Sequence, residues 1–168
     1  MRTLLQALLA TFLVVAIVQF VEKKPDIPQN DPGSAESSPK RQNISVYVSD
    51  VGEFLFQDCR MHGSQLQCNI TIIPEYSGWM SFTSIEVVTS DGGKPAIDSL
   101  HVLGRTVQVG EFAIKFPVYR GIPLSFSLLF NDVDPETETL SRLVLSGYLN
   151  RKWFRPAARD LVVAPSDS

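Results

Sequence analysis

Two cysteines and two histidines are all that this 168-residue chain offers to soft-metal or imidazole chemistry. There is no Cys-x-x-Cys, and His62 and His101 are far apart, so a zinc site lacks donors. Ser-His-Asp catalysis needs an imidazole held against its nucleophile. Here one histidine falls on a hairpin turn and the other in a strand. No Gly-rich loop opens a helix, which removes phosphate-cradling nucleotide chemistry. The sequence therefore implies no catalytic residue, no cofactor and no enzyme. Basic charge is also scarce. The net charge is −3, and no long stretch interleaves Lys/Arg with aromatics, so a nucleic-acid partner is not expected. Helical periodicity is missing too: after residue 42 no window holds a 3.6-residue period for three turns.

The strongest positive signal is at the N-terminus. Thr3–Val21 is a run of nineteen residues without a formal charge, and about 20 such residues cross a bilayer core as a helix. The run stops at Glu22-Lys23-Lys24 and leads into polar sequence, which disfavours a buried helix of a soluble protein. It reads as a signal-anchor over 1–24 that ties the chain to a membrane. The alternative is a cleaved signal peptide, with Arg2 as its basic region, Leu4–Leu13 as its apolar core and Val14-Val15-Ala16 as a loose cleavage site. Flanking Lys/Arg are too evenly split to orient the segment. Residues 25–42 form a disordered linker. They hold Pro25, Pro28, Pro32 and Pro39 with almost no aliphatic side chains, so they cannot offset the entropy of ordering, and the prolines stiffen them.

From Ile44 onward the period becomes two. Ile122, Leu124, Phe126, Leu128 and Phe130 alternate with Pro123, Ser125 and Ser127, a half-buried strand. Leu143 and Leu145 face one way, Arg142 and Ser146 the other. Turn signals recur at Asp91-Gly92-Gly93, Gly104, Gly110, Arg120-Gly121 and Asn131–Pro135. Short strands at such spacing predict an all-β antiparallel sandwich over 43–150, followed by a C-terminal extension over 151–168.

Cys59–Cys68 is the most informative stretch. Gly63-Ser64 is a two-residue hairpin signal, with Gly supplying the positive φ of a type II′ turn. That loop pairs His62 with Gln65, Met61 with Leu66, Arg60 with Gln67 and Cys59 with Cys68. The cysteines then form a non-hydrogen-bonded pair, with Cα atoms about 4.5 Å apart, within reach of a disulfide. Parity puts Leu55, Met61, Leu66, Ile70 and Ile72 on the core face with the sulfurs. Asp58, Arg60, His62, Gln65, Gln67, Asn69 and Thr71 fall on the other. Two buried free thiols are the alternative; behind an export signal, the disulfide is expected.

The same hairpin, with Asp91-Gly92-Gly93, Leu103-Gly104, Tyr119–Pro123, Phe130–Val133 and Leu140–Leu145, resembles an uncharacterised domain family frequent in cyanobacterial secreted and envelope proteins. The resemblance covers roughly Val46–Tyr148. It implies an immunoglobulin-like sandwich and brings no catalytic residues. Pro74-Glu75 replaces that family's usual asparagine, and Arg151–Ser168 has no counterpart in it.

Two further clusters invite chemistry. Asp132, Asp134, Glu136 and Glu138 sit at every second position, a spacing that can gather oxygens around Ca²⁺ but equally makes a solvated acidic loop. Arg151, Lys152 and Arg155 surround Trp153 and Phe154, which suits an anionic membrane surface or a protein partner. The competing reading packs Trp153 on the sandwich and leaves the arginines in water. Asn43-Ile44-Ser45 and Asn69-Ile70-Thr71 are formal glycosylation acceptors. The expected function is a non-catalytic binding or structural module held on the extracytoplasmic side of a membrane. The alternatives are a small accessory subunit of a membrane complex, joined through the Thr3–Val21 helix, and, remotely, a metal-dependent enzyme.

Overall fold

In the computed structural model, residues 43–108, 110 and 115–165 are described. The expected anchor Thr3–Val21 and the linker Pro25–Gln42 lie outside them. Among the described residues there are eleven strands and no helix long and apolar enough to cross a membrane. The strands are β1 (Ile44–Val48), β2 (Gly52–His62), β3 (Gln65–Pro74), β4 (Gly78–Thr89), β5 (Ile97–Val102) and β6 (Arg105–Gln108). They continue with β7 (Phe116–Val118), β8 (Leu124–Phe130), β9 (Thr139–Leu149), β10 (Lys152–Phe154) and β11 (Ala157–Ala164).

These strands follow one hydrogen-bonded path, β6-β5-β8-β3-β2-β11-β9-β4-β7, with β1 added to β2 and β10 to β9. The path curls back on itself. β11 pairs antiparallel with β9 through Ala157–Val162, then parallel with β2 at Val163 and Ala164. One layer therefore holds β1, β2, β3, β5, β6 and β8, and the other β4, β7, β9 and β10.

Aromatic rings join the layers. Phe54 of β2 lies 5.3 Å from Phe154 of β10, and Phe126 of β8 lies 5.1 Å from Phe82 of β4. Phe82 also meets Phe154 edge-on at 5.9 Å. Such pairs add about 0.5–1.5 kcal/mol each beyond their area burial. Gly147 makes the packing possible: a Cβ there would stand 2.7 Å from the Phe154 ring and 2.2 Å from the Ser81 carbonyl.

The cysteine hairpin forms in the expected register, with Cys59 opposite Cys68, Arg60 opposite Gln67, Met61 opposite Leu66 and His62 opposite Gln65. Of the two loop residues only Gly63 has positive φ, +63°, as a type II′ turn requires. Both cysteines are buried and bonded, S–S 2.05 Å and Cα–Cα 4.1 Å.

Three expectations are corrected. Leu55 does not share the core face, because a bulge between Phe56 and Cys59 shifts the parity of β2. Phe54 and Phe56 point inward with Cys59 and Met61, and Leu55 faces out beside Thr71. Ile122 is exposed, since β8 begins only at Leu124; Ser146 keeps the expected face, opposite that of Leu143 and Leu145, although it is covered there. Most importantly, the sandwich continues past Asn150. β10 and β11 occupy most of the expected extension and put Phe154, Ala158, Leu161 and Val163 into the core.

Candidate functional site

The far end of the domain from the cysteine turn is built by segments distant in sequence. Hydrogen bonds fasten its loops together. Gly121 N–H donates to the Pro74 carbonyl at 2.8 Å and Arg120 N–H to Ser77 Oγ at 2.9 Å. Trp79 N–H donates to Asn150 Oδ1 at 3.0 Å, while Asn150 N–H donates to the Trp79 carbonyl at 2.8 Å. Lys152 reaches Asp50 at 3.1 Å and sits 5.3 Å above the centre of the Tyr76 ring. Tyr47 Oη donates to the Glu75 carboxylate, and that bond is the main cause of its raised pKa.

On this scaffold the apolar surface of the domain is concentrated. Nine large apolar or aromatic side chains are exposed among the described residues. Seven of them, Tyr47, Tyr76, Trp79, Tyr119, Ile122, Tyr148 and Trp153, are gathered at this end; Leu103 lines a neighbouring concavity with Trp79 and Lys115, and Val162 stands apart. Burial of most apolar side chains is the rule, so a cluster of this size marks a contact surface.

The cluster is a collar rather than a flat patch. Tyr47, paired with Glu53, stands on the outer face of the first layer. Tyr148 pairs with Trp153 and with Ser81, and its ring lies 5.0 Å from that of Trp153 on the outer face of the second layer. Trp79, two residues before Ser81, shares that face. Tyr76, Tyr119 and Ile122 occupy the loops between. A concavity of about 450 Å³ lies among Trp79, Ser81, Lys115, Asn150 and Arg151.

The expected C-terminal cluster is thus divided. Trp153 is half exposed, Arg151 lines the concavity, and Lys152 ties the β1–β2 turn to the collar. Phe154 leaves the surface set, because β10 pleating turns it into the core at 1 % exposure. Arg155 points elsewhere, to Glu86 at 3.8 Å, a carboxylate it shares with Arg142 at 3.9 Å. The aromatic members on β1, β4, β9 and the loops were not found by sequence reasoning, since each is a single exposed residue in its own segment.

The acidic positions lie at the opposite end. Val133 N–H donates to the Ser64 carbonyl at 3.0 Å, which seats the Asn131–Glu138 loop on the cysteine hairpin. Asp134 caps its own turn, accepting from Glu136 N–H at 2.9 Å. Asp132, Asp134, Glu136 and Glu138 are exposed, and among the described residues no three carboxylates, histidines or cysteines gather as metal ligands.

A second feature crosses the outer face of the first layer. Asn69 Nδ2 donates to Asp58 Oδ1 at 3.2 Å, Ser127 Oγ donates to Asn69 Oδ1 at 2.7 Å, and His101, opposite Ser127, meets Thr106 at 3.4 Å. These line a concavity of about 440 Å³ with Arg105 and Ser125. Burial pushes the Asp58 carboxyl up, but hydrogen bonds from Arg60 and Asn69 outweigh it and hold its pKa below the ordinary value. His62 lies exposed at the end of β2.

No family model matches the chain, and no curated protein matches it. Among solved structures it is similar to the crystal structure of the GAE domain of GGA2p from Saccharomyces cerevisiae. The two are 11 % identical, with a TM-score of 0.35, over 70 % of this chain and 94 % of that chain.

Proposed function

We propose that this chain is a non-catalytic binding module, an immunoglobulin-like sandwich of the bacterial envelope type that its hairpin motifs resemble, tethered on the extracytoplasmic side of a membrane by Thr3–Val21. The observation that carries the reading is the collar, where seven exposed apolar and aromatic side chains meet at one end among Lys115, Arg120, Arg151 and Lys152. Trp, Tyr and Arg dominate the energetics of binding surfaces because they give large contact area at low entropic cost. Cys59–Cys68 supports the compartment, since disulfides persist where the surroundings oxidise.

The test has two arms. Protease added to spheroplasts that keep the inner membrane closed should remove the domain, and survival of the domain until detergent opens the membrane sinks the extracytoplasmic placement. A photo-crosslinking side chain at Trp153 should give adducts in intact cells, whereas one at Glu136, on the opposite end, should give few. Equal labelling from both positions argues against a binding end.

A further inference from the structure

We infer that the collar docks on the anionic phospholipid headgroups of the membrane that carries the tether, so that the domain stands on the bilayer with its acidic end outward. This deepens the proposed function and rests on it for the tether.

Three observations select a bilayer over a protein. The first is shape. Collar residues lie on both outer faces and on the loops between them, so no single facing surface covers Tyr47, Trp79 and Trp153 together. A headgroup layer can, because it surrounds whatever enters it. The second is depth. Tyr148 is two residues from the Asn150 turn, about 7 Å at the rise of a strand, and one leaflet's interfacial layer is roughly 5–8 Å thick. Trp and Tyr favour that layer because one end of each ring is apolar and the other hydrogen-bonds.

The third is charge. No carboxylate among the described residues pairs with Lys115, Arg120 or Arg151, and with Lys152 these four cations outnumber the three neighbouring carboxylates, Asp50, Glu53 and Glu75, of which Asp50 is paired with Lys152. Asp132, Asp134, Glu136 and Glu138 sit at the other end. The domain is therefore a charge dipole, and an anionic surface draws the aromatic end in and pushes the acidic loop away. The tether does not oppose this. The eighteen residues of the linker reach about 56 Å at the 3.1 Å rise of polyproline II, and β1 starts only four pairs along β2 from Gly52.

The chain has two tryptophans, Trp79 and Trp153, both in the collar, so its own fluorescence reports docking. Full-length chain is reconstituted in phosphatidylcholine vesicles with or without phosphatidylglycerol, each also made with brominated acyl chains. We expect flotation with both. Blue-shifted, bromine-quenched emission should appear only with phosphatidylglycerol. Arg120→Ala/Arg151→Ala should lower the docked-to-undocked ratio about thirtyfold, at the usual contribution of each cation near such a surface. Flotation without quenching overturns lipid docking and leaves the tethered module standing. Quenching that ignores phosphatidylglycerol overturns the role of charge and with it this inference. Failure to float overturns the tether and the docking together.

Discussion

Leu103 and Gly104 close the two-residue turn between β5 and β6 with φ of +51° and +71°. Both positions of a type I′ turn need positive φ, which suits Asn-Gly and penalises a branched side chain. Leu103 is more than half exposed, so it gains little from burial. Leu103→Asn should raise stability by about 1 kcal/mol, read as a higher urea midpoint at unchanged m; a lower midpoint would show that the leucine earns its place by contact. Asp58 makes a pH prediction. Its folded pKa lies below its unfolded one, so its contribution is present above the ordinary carboxylate range and is lost as pH falls through the folded value. The stability difference between wild type and Asp58→Asn should stay flat above about pH 5 and shrink below about pH 4. A difference that grows on acidification refutes the assignment. Neither residue stood out in the sequence: Leu103-Gly104 was legible as a turn, but not the backbone strain at its leucine.

At the scale of the element, the cysteine hairpin was readable because everything that determines it is local. One glycine fixes the turn, the turn fixes the register, and parity then places both sulfurs. Removing the bond with Cys68→Ser should cost about 2–5 kcal/mol, measured by urea unfolding, and thiols of the native protein should resist alkylation until reduced. Free modification without reductant would defeat both expectations. The same parity argument failed six residues upstream, since nothing in Phe56-Gln57-Asp58-Cys59 announces a bulge, and one extra residue exchanges the faces. It failed again in β11. Ala158, Leu161 and Val163 are the buried positions, three apart and then two, with Asp160 at φ +53° between them. With four charged residues and Pro156 in Lys152–Asp160, that stretch reads as a polar tail. Its strand character comes from pairing with β9 and β2, partners that local sequence does not reveal.

Across the whole molecule, the all-β layers were legible from alternation, whereas the collar was not, because it assembles single residues from β1, β4, β9, β10 and two loops. Closure of the fold was also hidden, and it carries the strongest prediction. β11 is the only strand among the described residues that hydrogen-bonds to both layers. Ending the chain after Asn150 removes that link, leaves the edge of β9 and the Cys59-Arg60 stretch of β2 unpaired, and takes Phe154, Ala158, Leu161 and Val163 out of the core. Truncating a buried Phe to Ala alone costs about 3–5 kcal/mol, against a total stability of about 5–15 kcal/mol for a domain. Losing four core side chains and two strands together exceeds that margin. The chain ended at Asn150 should lack near-UV circular dichroism, bind a hydrophobic dye and unfold without a sharp urea transition. A chain ended after Pro165, which keeps β11, should unfold as the full-length protein does. If the shorter chain instead shows a single transition at the wild-type midpoint, the sandwich closes without β11, and residues 151–168 revert to the dispensable extension their composition suggests.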